Sequence, residues 1–215
     1  MNLKIMNNVV RIGAWRMFMK KLGLLLLVFL LTACAVKPDA VLSEYFNMIK
    51  SNDNAIYDAE LHASYFDRDP GLNTEDTEEL LNNQTEEGKE LSTAYLDLVQ
   101  EFEYIINSKT ITDDEAVVNV TIKAYPLMEM TMDLMNRLMS ALFSLTFTTE
   151  EETTAYMLEQ FNLLKVDYTK SFEATVDVYL VKVDKDWKIV GGDKNMPLFN
   201  ALTGNLMNIQ NEIDY

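Results

Sequence analysis

The chain has 215 residues, with 34 acidic against 18 basic side chains, one His, one Cys and a formal charge of −16. At 48% apolar and 24% charged it is neither a disordered chain nor a bundle of membrane spans, and its length suits one domain with a small appendage. So acidic a surface repels phosphate backbones, which excludes nucleic acid as a partner, and one Cys excludes a disulfide framework or a Cys-based zinc site.

The charge is uneven along the chain. Residues 1–33 carry Lys4, Arg11, Arg16, Lys20 and Lys21 and no acid, which leaves 13 basic against 34 acidic groups, a net −21, in residues 34–215. Lys20-Lys21 precedes the apolar run from Leu22 to Leu31, and Thr32-Ala33-Cys34 follows. A positive segment, an apolar core of about ten residues and small residues at its end make a secretory signal. The run is too short to cross the hydrocarbon as a helix, which takes roughly 20 residues. The stretch ahead of Lys20 is long for such a signal, and Met17 or Met19 would also serve as its start.

Leu31-Thr32-Ala33-Cys34 resembles the bacterial lipobox. That resemblance implies removal of residues 1–33, thioether-linked lipid on Cys34 and attachment to the extracytoplasmic face of the cell membrane. More than one acyl chain on a residue gives stable anchoring, at about 0.8 kcal/mol for each buried methylene. Residues 34–39 then form the lipidated Cys and a short tether, and residues 40–215 the exported domain.

Two helices joined by a turn are expected over residues 40–66. Leu42, Tyr45, Phe46 and Ile49 recur at i, i+3, i+4 and i+7. Ser51-Asn52-Asp53-Asn54 supplies the turn and the next cap, and Ile56, Ala59, Ala63 and Phe66 continue helically until Asp69-Pro70-Gly71. Asn73-Thr74-Glu75-Asp76 offers an N-cap and first-turn acids for a polar surface helix over about 75–87.

Near residue 101 the period changes to two. Phe102, Tyr104 and Ile106 alternate with Glu101, Glu103 and Ile105, Thr112-Asp113-Asp114-Glu115 turns the chain, and Val118, Val120 and Ile122 return it. Residues 127–146 are the most apolar outside the signal. Met128, Met132, Met135, Met139 and Leu142 make one stripe there, and Leu127, Leu134, Leu138 and Leu145 make another beside it. A helix so apolar should be covered on several sides as part of the core. Thr148 and Glu151 match a capping box for a further helix to about 165, with Ala155, Leu158, Phe161 and Leu164 inward. A second hairpin follows. Phe172, Ala174, Val176, Val178 and Leu180 alternate with polar neighbours, Asp184-Lys185-Asp186 turns, and Trp187 to Val190 returns before Gly191-Gly192. Apolar residues from Met196 onward predict a short closing helix, broken at Gly204.

Two hairpins with amphipathic helices make an α+β domain, helices against one face of an antiparallel sheet. Tyr45-Phe46 through Asn52-Asp53 to Tyr57, together with Asp184-Lys185-Asp186-Trp187-Lys188-Ile189, resemble the NTF2-like (cystatin-like) cone fold. Gram-positive lipoproteins carrying such a domain are similar, including an ending like Ala201-Leu202-Thr203-Gly204. The resemblance implies a curved antiparallel sheet of about four strands packed with N-terminal helices, here with a helical insert at about 127–165. If the cone is open, Met128, Met132, Met135 and Met139, with Val176 and Val178, line an apolar pocket.

Catalytic motifs are missing from the sequence: it has no Gly-rich phosphate loop, no His-Glu-x-x-His and no Gly-x-Ser-x-Gly. His62 reads as a partly exposed helix residue, and the acidic runs at 75–79 and 150–152 as first helical turns. Asp177 and Tyr179 share a strand face at i, i+2, and some NTF2-like enzymes use an Asp and a Tyr for proton abstraction beside a carbonyl. The apolar opposite face, Val176, Val178 and Leu180, turns this pair outward. The expectation is a non-enzymatic lipoprotein, without cofactor or metal, that binds a small apolar ligand or an envelope protein. Two alternatives stay open: an NTF2-like enzyme acting on an apolar carbonyl compound, and an acidic structural or adhesive module.

Overall fold

Period-two alternation over residues 103–124 and 172–189 becomes a four-stranded antiparallel sheet in the computed structural model, which describes residues 36–51, 59–70, 85–144 and 147–208. The chain divides into two compact units, Met1–Val36 and Lys37–Tyr215, and every element that follows lies in the second. Strands β1 (Glu103–Thr112), β2 (Glu115–Ala124), β3 (Phe172–Val183) and β4 (Asp186–Ile189) neighbour one another in chain order. Two-residue turns close both hairpins, with Asp113 (φ 54°) and Asp184 (φ 57°) in the left-handed region. Tight hairpin turns need positive φ, and Asp accepts it because its short side chain bonds to nearby backbone.

A bulge between Ile106 and Ser108 shifts the phase of β1. Before it Ile105 stands opposite Thr121 on the outer face, as the alternation predicts, while beyond it Lys109 pairs with inward-facing Val118 and reaches Asp39 at 2.6 Å. Helix α1 (Pro38–Ser51) places Leu42, Tyr45, Phe46 and Ile49 fully in the core, as their spacing predicts. The turn at 52–54 lies outside the described residues. Helix α2 (Ala59–Tyr65) is short, with Ala63 exposed rather than inward, and Phe66 just beyond it pairs with Ile189 of β4. These helices cover Val118, Val120, Ile122, Val178, Leu180 and Ile189 on the inner face of the sheet.

Helix α3 (Glu86–Gln100) begins where the expected surface helix was to end, and most of that expected helix (75–84) lies outside the described residues. Thr85 caps α3, its hydroxyl oxygen accepting the Gly88 N–H at 3.1 Å. Leu91, Ala94, Tyr95 and Leu98, at helical spacing, put one face of α3 into a second core. Helices α4 (Leu127–Ser144) and α5 (Glu150–Asp167) complete that core with Leu127, Met130, Leu134, Phe161 and Leu164. The cap of α5 is one residue later than expected: Thr149 accepts the Glu152 N–H at 3.1 Å, and the Glu152 carboxylate takes the N–H and hydroxyl of Thr148. The residues expected on the inward face divide along the helix. Ala155 is exposed and Leu158 half-buried, while Phe161 and Leu164 are buried.

The closing helix α6 (Met196–Leu202) sends Leu198, Phe199 and Leu202 back under the sheet. Gly204 ends it at φ 55°, its carbonyl accepting the Met128 N–H at 3.3 Å. A Cβ there would lie 1.8 Å from the Tyr125 carbonyl oxygen, so only glycine permits this approach. The domain is thus a mixed α+β, cone-like fold with two cores, one beneath the sheet and one among α3, α4 and α5.

Connectivity fixes which end of the sheet carries the second core. The end of α3 leads into β1, the end of β2 into α4, and the end of α5 into β3. Helix α1 runs antiparallel to β1, with Lys50 donating to the Phe102 carbonyl at 2.8 Å at that same end and Asp39 bonded to Lys109 toward the other. The N-terminus of α1 and the three-helix core therefore sit at opposite ends of the sheet.

Candidate functional site

Leu31, Thr32, Ala33 and Cys34, the expected lipid-attachment segment, lie outside the described residues. No helix among the described residues is long and apolar enough to cross a membrane.

The methionine stripe is where the outcome departs furthest from a covered core helix. At 100° per residue, Met132, Met135, Met139, Leu142 and Phe143 fall within an arc of about 100°. That arc faces solvent: Met139 and Leu142 are each 50% exposed and Phe143 is 87% exposed. The core takes the opposite side of α4, through Leu127, Met130, Leu134 and Ala141. The split follows from what each neighbour offers: α3 and α5 present Leu98, Val99, Phe161 and Leu164 to the side that carries Leu127, Met130 and Leu134. Met128 alone of the four candidate methionines turns inward, with its sulfur taking the Asn205 side-chain N–H at 3.1 Å. Val178 is fully buried beneath the sheet and Val176 packs against that same cluster. The six residues expected around one pocket are thus divided between the sheet core, the α4–Gly204 junction and an open helix face.

A polar strip of α4 borders the exposed stripe. Asp133, Asn136, Arg137, Ser140 and Tyr156 of α5 line an open hollow of about 500 Å³. Arg137 donates to the Gln160 side-chain amide oxygen at 3.1 Å, and the Tyr168 hydroxyl donates to Asp133 at 2.7 Å. That hydrogen bond to the Asp133 carboxylate raises the Tyr168 hydroxyl to about 12, so it stays a donor at all physiological pH. A second hollow, of about 410 Å³, lies against the outer sheet face beside Lys50, Glu103, Ile105, Lys123 and Glu173. Neither hollow is lined by the candidate pocket residues.

Asp177 and Tyr179 stand on the outer face, as the alternation predicts. Asp177 is exposed and accepts the Asn119 side-chain N–H at 2.7 Å, part of a row that also joins Asn107, Thr121 and Thr175. The Lys194 ammonium lies 4.2 Å from the centroid of the Tyr179 ring. The pair shares the polar outer face of the sheet.

His62 corrects its expected exposure. It is fully buried, with Nδ1 3.2 Å from the Tyr45 hydroxyl and its ring among Tyr45, Phe66 and Phe199. Burial also pushes the Tyr45 hydroxyl well above its ordinary value. The periodicity that placed Phe66 inward could have placed His62 with it, four residues earlier on the same helical face. Asn195 is the other buried polar side chain among the described residues that sequence reasoning passed over. It takes the Tyr179 N–H at 2.9 Å and donates to the Tyr179 and Val190 carbonyls at 2.9 and 2.8 Å, filling the gap where β4 ends. Among the described residues, no three His, Cys, Asp or Glu side chains are grouped to hold a metal ion.

The fold is similar to the solved structure of a candidate lipoprotein, ycdA, from Bacillus subtilis subsp. subtilis str. 168, over 76% of this chain, with a TM-score of 0.50 and 15% identity. This chain spans 55% of that one's length. No protein-family model and no curated protein matches the sequence.

Proposed function

We propose that this is an exported lipoprotein whose NTF2-like domain is held at the extracytoplasmic face of the cell membrane by lipid on Cys34 and acts there by binding an envelope protein. The observation that carries the anchoring is Leu31-Thr32-Ala33-Cys34 directly after Lys20-Lys21 and a ten-residue apolar run, with the chain's one cysteine at the lipidation position. The similarity in fold to a candidate lipoprotein supports it. Lipid at Cys34 leaves three residues before Lys37, a tether of at most roughly 10 Å at about 3.5 Å per residue. The N-terminal end of α1 would then face the bilayer, and the net −21 of residues 34–215 would keep the rest off anionic lipid.

Binding to a protein is favoured over a small apolar ligand by one specific observation. Met132, Met135, Met139, Leu142 and Phe143 form an open ridge on α4, and the hollow beside it is shallow and lined mostly by polar residues. Mass spectrometry of the membrane-extracted protein tests the anchoring. It should show a chain beginning at Cys34 with acyl mass added, and Cys34→Ala should release the protein from the membrane. An intact N-terminus, or membrane retention unchanged in Cys34→Ala, refutes it.

A further inference from the structure

We infer that the exposed face of α4 from Met132 to Phe143 docks an amphipathic helix of another protein, one with an apolar stripe and basic residues at both ends. This inference rests on the binding role proposed above and names its surface and its partner's chemistry.

The shape points to a helix. Met132, Met135, Met139, Leu142 and Phe143 lie in a line along α4, eleven rises of 1.5 Å, or about 17 Å. A partner helix of about three turns, with anchors at i, i+3, i+4 and i+7, matches that length. Met side chains are unbranched and polarizable, so the ridge can repack around a partner's apolar side chains without a preformed cavity. Exposure rises along the ridge, from 37% at Met132 to 87% at Phe143, so its far end is the least covered apolar surface of α4.

Charge decides the partner's ends. Exposed Glu129 and Asp133 flank the start of the ridge. Exposed Glu150, Glu151 and Glu152 open α5, seven to nine residues after the ridge ends at Phe143. Arg137, the one basic residue of α4, is turned to Gln160 instead. An apolar strip with acids at both ends attracts a helix with Lys or Arg at both ends and repels an acidic one.

The same observations disfavour the other occupants. A second copy brings another net −21 and the same acids to the same ends. A strip about 17 Å long and one helix wide also offers on the order of 200 Å², against the ~800 Å² per partner of a stable dimer. A lipid surface is disfavoured because the ridge belongs to the helices at the end of the sheet opposite the N-terminus of α1, where the tether attaches.

The test uses the full chain reconstituted in nanodiscs of neutral phospholipid. The probe is a fluorescent helical peptide of about 14 residues, with leucines at helical spacing and lysines at both ends, read by anisotropy. The wild-type protein should bind it, and Met135→Asp with Met139→Asp should weaken binding by roughly tenfold or more. Ile105→Asp, a change at an exposed apolar residue on the sheet, should leave binding unchanged. A Glu-ended version of the peptide should bind far more weakly, and added salt should narrow that difference. Both altered positions are solvent-exposed, and unchanged melting temperature and amide exchange will show that the variants fold. Equal affinity of the wild type and the Met variant, preference for the Glu-ended peptide, or a wild-type dimer dissolved by the same two substitutions would each overturn the inference. Failure of the anchoring reading shows separately, as a Cys34→Ala protein that stays with the membrane whatever the peptide does.

Discussion

Beneath the sheet, residues far apart in the chain meet and lock one another. Tyr45 of α1 stands edge-on to Phe66 at 5.3 Å, Phe66 stacks on Phe199 of α6 at 5.9 Å, and His62 lies among all three. In the three-helix core the seven buried side chains come from α3, α4 and α5, and the close ring pair is Tyr95 on Phe161 at 4.3 Å. The open apolar face of α4 lies on the outer side of the three-helix core. Among the described residues that core holds seven buried apolar side chains against twenty-one beneath the sheet, so it has less apolar burial to hold it together. The open ridge and the smaller core thus lie together, at the end of the sheet opposite the N-terminus of α1.

Breaking one core at a time is the sharpest test of this contrast. Phe161→Ala and Phe46→Ala each remove a fully buried ring, at a cost of about 3–5 kcal/mol. Amide exchange should separate them. Phe161→Ala should lose protection in α3, α4 and α5 while the amides paired between β2 and β3 stay protected, whereas Phe46→Ala should lower protection throughout. Uniform loss in both variants would mean that the two cores unfold as one.

The link between the cores gives the next largest effect. Gly204→Ala forces a Cβ into the Tyr125 carbonyl and a methyl-bearing residue into positive φ. A cost of about 2–4 kcal/mol is expected, a fall in melting temperature of roughly 4–16 °C. Exchange in the first turn of α4 should rise most, because Gly204 accepts the Met128 N–H.

The smallest effect belongs to the far end of the sheet. Burial pushes the Asp39 carboxyl up, but the Lys109 hydrogen bond and charge outweigh it, and the group sits below its ordinary value. A carboxyl lowered in the folded state stabilises above its unfolded pKa and loses that contribution as pH falls through the folded value. Lys109→Met should therefore cost up to about 1 kcal/mol at pH 7 and less at about pH 3, below the ordinary carboxyl value. Chemical denaturation at the two pH values checks this, and the three-helix core should not respond.

Much of the architecture was legible in the residues. Period two marked both hairpins, the Asp pairs marked their turns, and Leu42, Tyr45, Phe46 and Ile49 named the buried face of α1. Those signals are local, because alternation and turn chemistry act within a few residues. Helix α3 escaped notice because its polar first turn, Glu86-Glu87, continued an acidic run and hid the stripe from Leu91 to Leu98. The cap of α5 moved by one residue because Thr148 and Thr149 are equally good caps in isolation, and Glu152 reaching back to Thr148 chose between them.

By itself the sequence determined the α+β class and the two hairpins, and it is the ground on which the export signal and the lipid on Cys34 are proposed. All of these depend on composition and short-range periodicity. Only the tertiary structure decided which stripe of α4 is core and which is surface. Leucine and methionine stripes are equally apolar in a helical wheel, and α3 and α5 meet just one of them. Tertiary contacts also carried His62 into the aromatic cluster and set Asn195 as the stand-in for a missing strand partner, since burial of a polar side chain depends on partners the local sequence does not name.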